Sequence, residues 1–304
     1  MEQDNKKKAA FVAVVGRPSV GKSTLVNRIC GGKVAIVSPV PQTTRRAVRG
    51  IFNSDEGQLV FVDTPGRHSS EKKFNRKLME VSNRSIAESD LVLYILDASR
   101  PPGSEEEETA ALLAGLSGSG EKLAAAVNKI DAPGADPGRA GAFLAEKIPL
   151  LPPERIFAVS ALKNQGIPAL LSSLFSMASP GDLFYPEDVY TDQEVRFRIA
   201  EIVREKAMLR LREELPHSIY VDVADAELRD GGKRLWARVF IMVERESQKG
   251  MVVGKGGELV RAVRLAAEKD LARIFEWKTD LDIRVKTSRD WRHSDAVLKR
   301  ILER

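Results

Sequence analysis

The octapeptide Gly16-Arg17-Pro18-Ser19-Val20-Gly21-Lys22-Ser23 constrains the fold of this chain more than any other segment. It fits the pattern G-x-x-x-x-G-K-[S/T], follows an apolar run over residues 9–15 and opens a helical stretch over 22–29. A strand that turns through glycines directly into a helix aims backbone N–H groups and the positive helix end at one point, a cradle for phosphate. Gly16 and Gly21 permit the wrap, with Ser19, Val20 and Thr24 counted among the phosphate-binding positions. Lys22 is placed to bridge two phosphates, and the Ser23 hydroxyl to ligate Mg²⁺.

The surrounding pattern extends that unit into a sheet. Further short apolar strands are predicted at 58–62, 91–97, 123–128 and 155–159, with helices between most of them, for instance over 104–116. Near-continuously apolar strands alternating with helices predict an α/β fold, a mostly parallel sheet with helices on both faces, of the P-loop NTPase (Ras-like) kind. Segments 46–52 and 58–62 flank an Asn53-Ser54-Asp55-Glu56-Gly57 turn and read as a hairpin that adds one antiparallel strand.

Three later segments identify a ligand. Asp63-Thr64-Pro65-Gly66 ends the next strand, where Asp63 suits a Mg²⁺ contact and the Gly66 amide can sense a γ-phosphate. Between it and the phosphate loop lies Pro41-Gln42-Thr43-Thr44-Arg45, where Thr44, favoured over Thr43, can complete the Mg²⁺ shell when a γ-phosphate is present. Lys22, Thr44 and Gly66 are therefore the catalytic candidates, and Ser23, Thr44 and Asp63 the metal ligands. Asn128-Lys129-Ile130-Asp131 names the base. The Asp131 carboxylate accepts from N1–H and the 2-amino group of guanine, whereas adenine offers it a lone pair. Lys129 covers base and ribose with its stem, and Asn128 ties loops together. Ser160-Ala161-Leu162 follows the last strand, where backbone N–H groups can reach guanine O6. The cofactors expected are GTP/GDP and Mg²⁺. At the positions where Ras-like enzymes place a water-orienting glutamine, this chain has Arg67 and His68. Arg67 either stabilises transition-state charge in cis or is an exposed loop residue, and slow intrinsic hydrolysis is expected.

Beyond residue 178 the pattern changes. Turn formers and acids over 179–191 read as a linker, and the order after it is helix (193–214), alternating strand, an Asp230-Gly231-Gly232 turn, strand, glycine loop with helix (257–275), strand and a short terminal helix. The expected domains are a charged tail (1–8), a nucleotide-binding domain (9–178), the linker, and a smaller α+β domain (192–304). Gly254-Lys255-Gly256-Gly257 precedes its second helix. A G-x-x-G loop lets backbone approach a single-stranded sugar–phosphate chain, and that order points to a type II KH domain. Lys255, Arg261 and Arg264 are candidate phosphate contacts, and Trp291 is a candidate stacking or packing residue. Alternatively the loop only caps a helix and the chain is a nucleotide-regulated scaffold.

Bulk composition agrees without deciding. The net charge of +5 favours an anionic partner weakly, and from Arg245 onward 15 Lys and Arg face 10 Asp and Glu. A single cysteine, Cys30, excludes an internal disulfide framework. No apolar run reaches the roughly 18 residues of a membrane span.

Taken over nearly its whole length, the chain closely resembles the Era family of bacterial ribosome-assembly GTPases. The resemblance rests on Gly16-Arg17-Pro18, Pro41-Gln42-Thr43-Thr44-Arg45, Asp63-Thr64-Pro65-Gly66-Arg67-His68, Glu213-Glu214-Leu215-Pro216-His217-Ser218, Lys249–Glu258 and Trp291-Arg292. It implies a GTP-gated monomer whose KH domain grips the 3′ region of 16S rRNA on the 30S subunit, cytoplasmic and peripherally attached to the inner membrane. Two positions depart from the family pattern. Ser19 replaces the usual Asn, which puts potassium-stimulated hydrolysis in question, and Arg67 replaces a hydrophobic residue.

Overall fold

The computed structural model describes residues 6–67, 73–116 and 119–302, which divide into two compact units. The first comprises Met1–Ala35 and Thr44–Asp192, the second Ile36–Thr43 and Gln193–Arg304.

The first unit is built on strands β1 (Lys8–Val15), β2 (Val48–Ser54), β3 (Gly57–Asp63), β4 (Leu91–Asp97), β5 (Leu123–Asn128), β6 (Ile156–Ala158) and the two-residue β7 (Ser179–Pro180). Their order is β2-β3-β1-β4-β5-β6, with β7 added antiparallel to the start of β1. All other pairs are parallel except β2–β3, the hairpin expected from sequence. Every residue of β3, β4 and β5 is buried, which is why these strands read as apolar runs instead of alternating. The covering helices include α1 (Lys22–Ile29), α2 (Lys73–Glu88), α3 (Ser104–Ala114), α4 (Pro137–Lys147) and α5 (Ile167–Met177). Ile86 of α2, Leu113 of α3 and Leu144 of α4 share one core with Tyr94 and Val127 of the sheet.

The stretch expected to be a linker is docked along β2 and β3. Ile51 N–H donates to the Tyr190 carbonyl (2.9 Å), and Thr191 Oγ1 to the Arg49 carbonyl (2.8 Å). The fully buried Gln58 donates to the Tyr185 carbonyl and accepts from the amides of Phe184 and Tyr185. A segment with no periodicity thus satisfies its backbone on a sheet edge that would otherwise stand open.

In the second unit, α6 (Val195–Met208) is followed by β8 (Tyr220–Arg229), β9 (Arg234–Val243), α7 (Glu246–Val253), α8 (Glu258–Ile274), β10 (Lys278–Thr287) and α9 (Asp295–Leu302). The sheet order is β10-β9-β8, with β10 parallel and β8 antiparallel to β9. β9 alternates as predicted, sending Leu235, Ala237, Val239, Ile241 and Val243 into a core shared with Ile199, Val203, Val263 and Leu271.

The sequence expectations fail at three points here. The first helix ends at Met208, six residues early, and Leu209 just beyond it is exposed. Helix α7 has no counterpart in the order expected from sequence, because it buries Val252 alone and carries no helical period. Trp291 is not available for stacking on a base. It has no exposed surface, its Nε1–H donates to the Ser218 carbonyl (2.9 Å), and its ring meets Tyr220 edge-on at 5.1 Å. A Trp291→Ala variant should lose about 3–5 kcal/mol of stability in this unit. Urea denaturation followed by circular dichroism measures that loss.

Candidate functional site

Parallel register sets the site. Val14 of β1 pairs with Asp63, Val15 with Tyr94, and Asp97 with Asn128, so the carboxyl ends of β1, β3, β4 and β5 finish at one edge. Loops leaving that edge carry the sequence-predicted residues of the first unit.

The phosphate loop wraps between β1 and α1. Gly21 has φ 98°, and a Cβ there would stand 2.4 Å from Asn128 Nδ2, so both conformation and space require glycine. Ser19 adopts φ 62°, a left-handed conformation that a side chain takes at a cost. Lys22 is buried and donates to the carbonyls of Gly16 and Arg17, both at 2.9 Å. Burial lowers its pKa to about 8, and the Asp63 charge offsets part of the effect. Thr24 lies half-buried in the first turn of α1.

Three oxygen ligands converge beside it. Asp63 Oδ2 accepts from Ser23 Oγ (2.6 Å) and Thr44 Oγ1 (3.2 Å), and the two hydroxyls are 3.0 Å apart. Asp63 is fully buried, and its Oδ1 has no hydrogen-bond partner among the described residues. Burial pushes the carboxyl pKa up, and Lys22 opposes the shift. Hard oxygen donors around an orphaned carboxylate oxygen fit a divalent cation such as Mg²⁺. The Thr43 hydroxyl turns away and donates to the Val40 carbonyl (2.6 Å).

Gly66 follows at close range, since a Cβ on it would lie 2.6 Å from the Pro18 nitrogen. Arg67 is not an exposed loop residue. Its side chain is buried and donates to Asn83 Oδ1 (2.6 Å), anchoring the Asp63–Gly66 turn to α2. His68 lies outside the described residues.

The base-reading loops are laced to the phosphate loop. Asn128 Nδ2 donates to the Val20 carbonyl (2.8 Å), and its Oδ1 accepts from the Ala161 amide (3.0 Å). Ser160 Oγ donates to Asp131 Oδ1 (2.6 Å), which brings Asp131, Ser160 and Ala161 together, while Leu162 is 65% exposed. Four further residues belong to this neighbourhood. Arg28 of α1 holds the carbonyls of Ala161 (3.2 Å) and Leu162 (3.1 Å), and Asp97, Glu106 and Arg17 form a buried ionic group. Only the position of Asp97 at a strand end hinted at this, since the pairing is tertiary.

In the second unit, Gly254–Gly257 joins α7 to α8. Gly254 has φ 78°, and a Cβ there would strike Leu259 at 2.8 Å. At Gly256 and Gly257 an added Cβ meets nothing within 4 Å, so the backbone there is open to an approaching chain. Lys255 and Arg261 are exposed beside it, whereas Arg264 is engaged by Glu268 at 3.0 Å. Trp291 is not part of this cluster.

Because Asn128 makes both bonds between the phosphate loop and the 160–162 loop, Asn128→Ala should destabilise the first unit even without ligand. The expected loss is about 2–4 kcal/mol for a buried carbonyl and amide left unpaired. Thermal unfolding in nucleotide-free buffer checks it.

Comparison with known proteins places the chain. A family profile described as 50S ribosome-binding GTPase matches residues 11–129, and a KH domain profile matches 214–292. GTPase Era of Treponema denticola is 47% identical, the match covering 96% of this chain and 99% of the relative. GTPase Era of Borreliella burgdorferi is 43% identical over 97% and 99%. A crystal structure of Aquifex aeolicus Era bound to GDP and AlF4− superposes with a TM-score of 0.89 at 33% identity, covering 97% of this chain and 99% of that one. An Era complex with MgGDPNP and nucleotides 1506–1542 of 16S ribosomal RNA superposes with a TM-score of 0.88 at 32% identity, over 98% and 99%. With identity of this order over the whole length, the fused P-loop and KH units make the chain a member of the Era GTPase family.

Proposed function

We propose that this protein is a GTP-binding and GTP-hydrolysing switch that grips the 3′ region of 16S rRNA and assists assembly of the 30S subunit. One observation carries the reading: a single chain joins the Ser23–Thr44–Asp63 oxygen cluster and the Asp131 base reader to an open G-x-x-G loop. The solved Era complex with MgGDPNP and 16S rRNA nucleotides supports it.

In this reading Gly16, Ser19, Val20, Gly21 and Thr24 surround the phosphates, and Lys22 neutralises charge on the transferring group. Ser23, Thr44 and Asp63 hold Mg²⁺, which offsets charge across the β- and γ-phosphates when bound. The Gly66 amide senses the γ-phosphate beside the phosphate loop. Asp131 fixes guanine through its N1–H and 2-amino group, Ser160 orients Asp131, and Asn128, Lys129, Ala161 and Leu162 complete the base pocket. Arg67, committed to Asn83, does not stand in for the water-orienting glutamine, which accords with slow turnover. RNA contacts fall to Gly254, Lys255, Gly256, Gly257, Arg261 and Arg264, the last after exchanging Glu268 for a phosphate.

The same proposal includes coupling. Segment Ile36–Thr43 belongs to the second unit: Val37 N–H donates to Glu205 Oε1 (2.9 Å), and Arg204 donates to the Thr43 carbonyl (2.6 Å). The next residue is Thr44, so a γ-phosphate that recruits its hydroxyl acts on a chain held by the RNA-binding unit. Cytoplasmic residence, a monomeric state and peripheral contact with the inner membrane complete the proposal and rest on the family resemblance.

Filter binding to a single-stranded RNA of the 16S 3′ region, with GTP analogue or GDP, tests the RNA half. Wild-type protein should bind in at least one nucleotide state, and Gly256→Asp with Gly257→Asp should abolish RNA binding while GTP binding survives. Absence of RNA binding in every state defeats the proposal. For the base, Asp131→Asn should weaken GTP binding by about a hundredfold and improve xanthosine triphosphate, whose 2-keto group accepts from the new amide. Competition against labelled GDP reads both.

A further inference from the structure

We propose that Asp97 is a positioning residue for guanine-nucleotide binding, locking the base-reading loop to the phosphate loop through Lys129 and Arg17. The inference rests on the GTP-binding reading above and names a device that none of the motif residues supplies.

Asp97 ends β4 opposite Asn128, and its side chain is 2% exposed. Its two oxygens have separate tasks. Oδ1 accepts from the Ser99 amide (2.9 Å) and Ser99 Oγ (2.6 Å), a local turn that fixes the carboxylate plane. Oδ2 is thereby presented to cations from two loops: Lys129 Nζ at 2.7 Å and Arg17 at 3.3 Å, with Arg100 farther off at 3.7 Å. Arg17 is itself closed in by a second buried carboxylate, Glu106, whose Oε2 accepts from the Gly103 amide (2.9 Å). Its guanidinium is thus a strut between the phosphate loop, β4 and α3.

Lys129 is the element most in need of support. Its backbone sits at φ 65°, a conformation that non-glycine residues rarely hold, and its ammonium reaches Asp97. The ion pair fixes the stem that, in the GTP-binding reading, would cover the base. Asn128 joins the same two loops through one neutral hydrogen bond, to the Val20 carbonyl, so the Asp97 connection is a second, charged one.

The sign of the effect separates positioning from simple electrostatics. Asp97 is an anion near a site for polyphosphate, so deleting its charge should tighten phosphate binding if charge alone matters. Positioning demands the opposite for nucleotides that carry guanine. We therefore expect Asp97→Asn to weaken GDP and GTP equally, by about ten- to a hundredfold, as befits lost charge-assisted hydrogen bonds. Tripolyphosphate affinity should stay level or improve, the preference for GDP over ADP should shrink, and kcat at saturating GTP should stay within about twofold while KM rises.

Isothermal titration of wild type and Asp97→Asn with GDP, GTP, ADP and tripolyphosphate, together with steady-state hydrolysis, carries the test. Unchanged GDP affinity, or a parallel loss for GDP and tripolyphosphate, overturns the proposal. If Asp97→Asn does not fold, Ser99→Ala decides: GDP affinity two- to threefold weaker with tripolyphosphate unchanged supports the idea, and unchanged GDP affinity ends it. Wild-type protein that bound no guanine nucleotide would instead defeat the GTPase reading itself, so the two failures are distinct.

Discussion

Parallel pairing of β1 with β3 and β4, and of β4 with β5, is the constraint on which everything in the first unit depends. Because β1 meets β3 with Val14 opposite Asp63, the loop after Val15 and the turn after Asp63 leave the sheet side by side. A slip of one residue would turn Asp63 to the other face of β3 and separate it from Ser23. The same holds for Asp97 and Asn128, paired across β4 and β5. The buried apolar faces of these strands hold the register, so the chemistry at their ends is fixed by hydrophobic packing some distance away.

At that edge, buried charges of both signs stand close together. Lys22, Arg17, Asp63, Asp97 and Glu106 are all buried, an arrangement that is unfavourable unless each group is paired. Most are. Arg17 closes on Asp97 and Glu106, Asp97 on Lys129 and Ser99, and Lys22 on two backbone carbonyls. Asp97 responds accordingly: burial pushes its pKa up, and the hydrogen bonds from Lys129 and Ser99 more than reverse it. Asp63 is the exception, with one oxygen unsatisfied and burial dominant. A site in which, of these five groups, only one carboxylate oxygen lacks a partner is suited to accept a cation together with its phosphates.

What the sequence disclosed divides along physical lines. Phosphate loop, strand-end aspartate and base-reading tetrapeptide were legible because each is a local backbone conformation with a side chain at its tip. The Asp97–Arg17–Glu106 group was not, since Arg17 lies 80 residues before Asp97 and meets the two carboxylates only when β1 pairs with β4. Arg67 looked like a loop residue because nothing in its neighbours foretells Asn83, sixteen residues on. Trp291 posed the reverse problem: beside an arginine near the chain end it fitted stacking and packing alike, and only the Ser218 carbonyl that accepts from its indole N–H decides for packing. Short α7 escaped because eight residues with one buried side chain carry no period.

The segment before Thr44 shows how the proposed switch works in physical terms. Val40 packs on the core of the second unit, and the backbone at Val37 and Thr43 is held by neighbouring side chains of α6, Glu205 and Arg204. Arg204 is 1% exposed and is held in place by Glu201, which accepts from its Nε (2.7 Å) and Nη2 (2.5 Å), so its Nη2 is presented to the Thr43 carbonyl from a fixed position. One peptide bond later, the Thr44 hydroxyl rests against Asp63 and Ser23. In the proposed switch, a pull on the Thr44 hydroxyl is carried through one peptide bond to the Thr43 carbonyl. If the proposed coupling holds, linkage makes it reciprocal: nucleotide would change RNA affinity by the same factor that RNA changes nucleotide affinity.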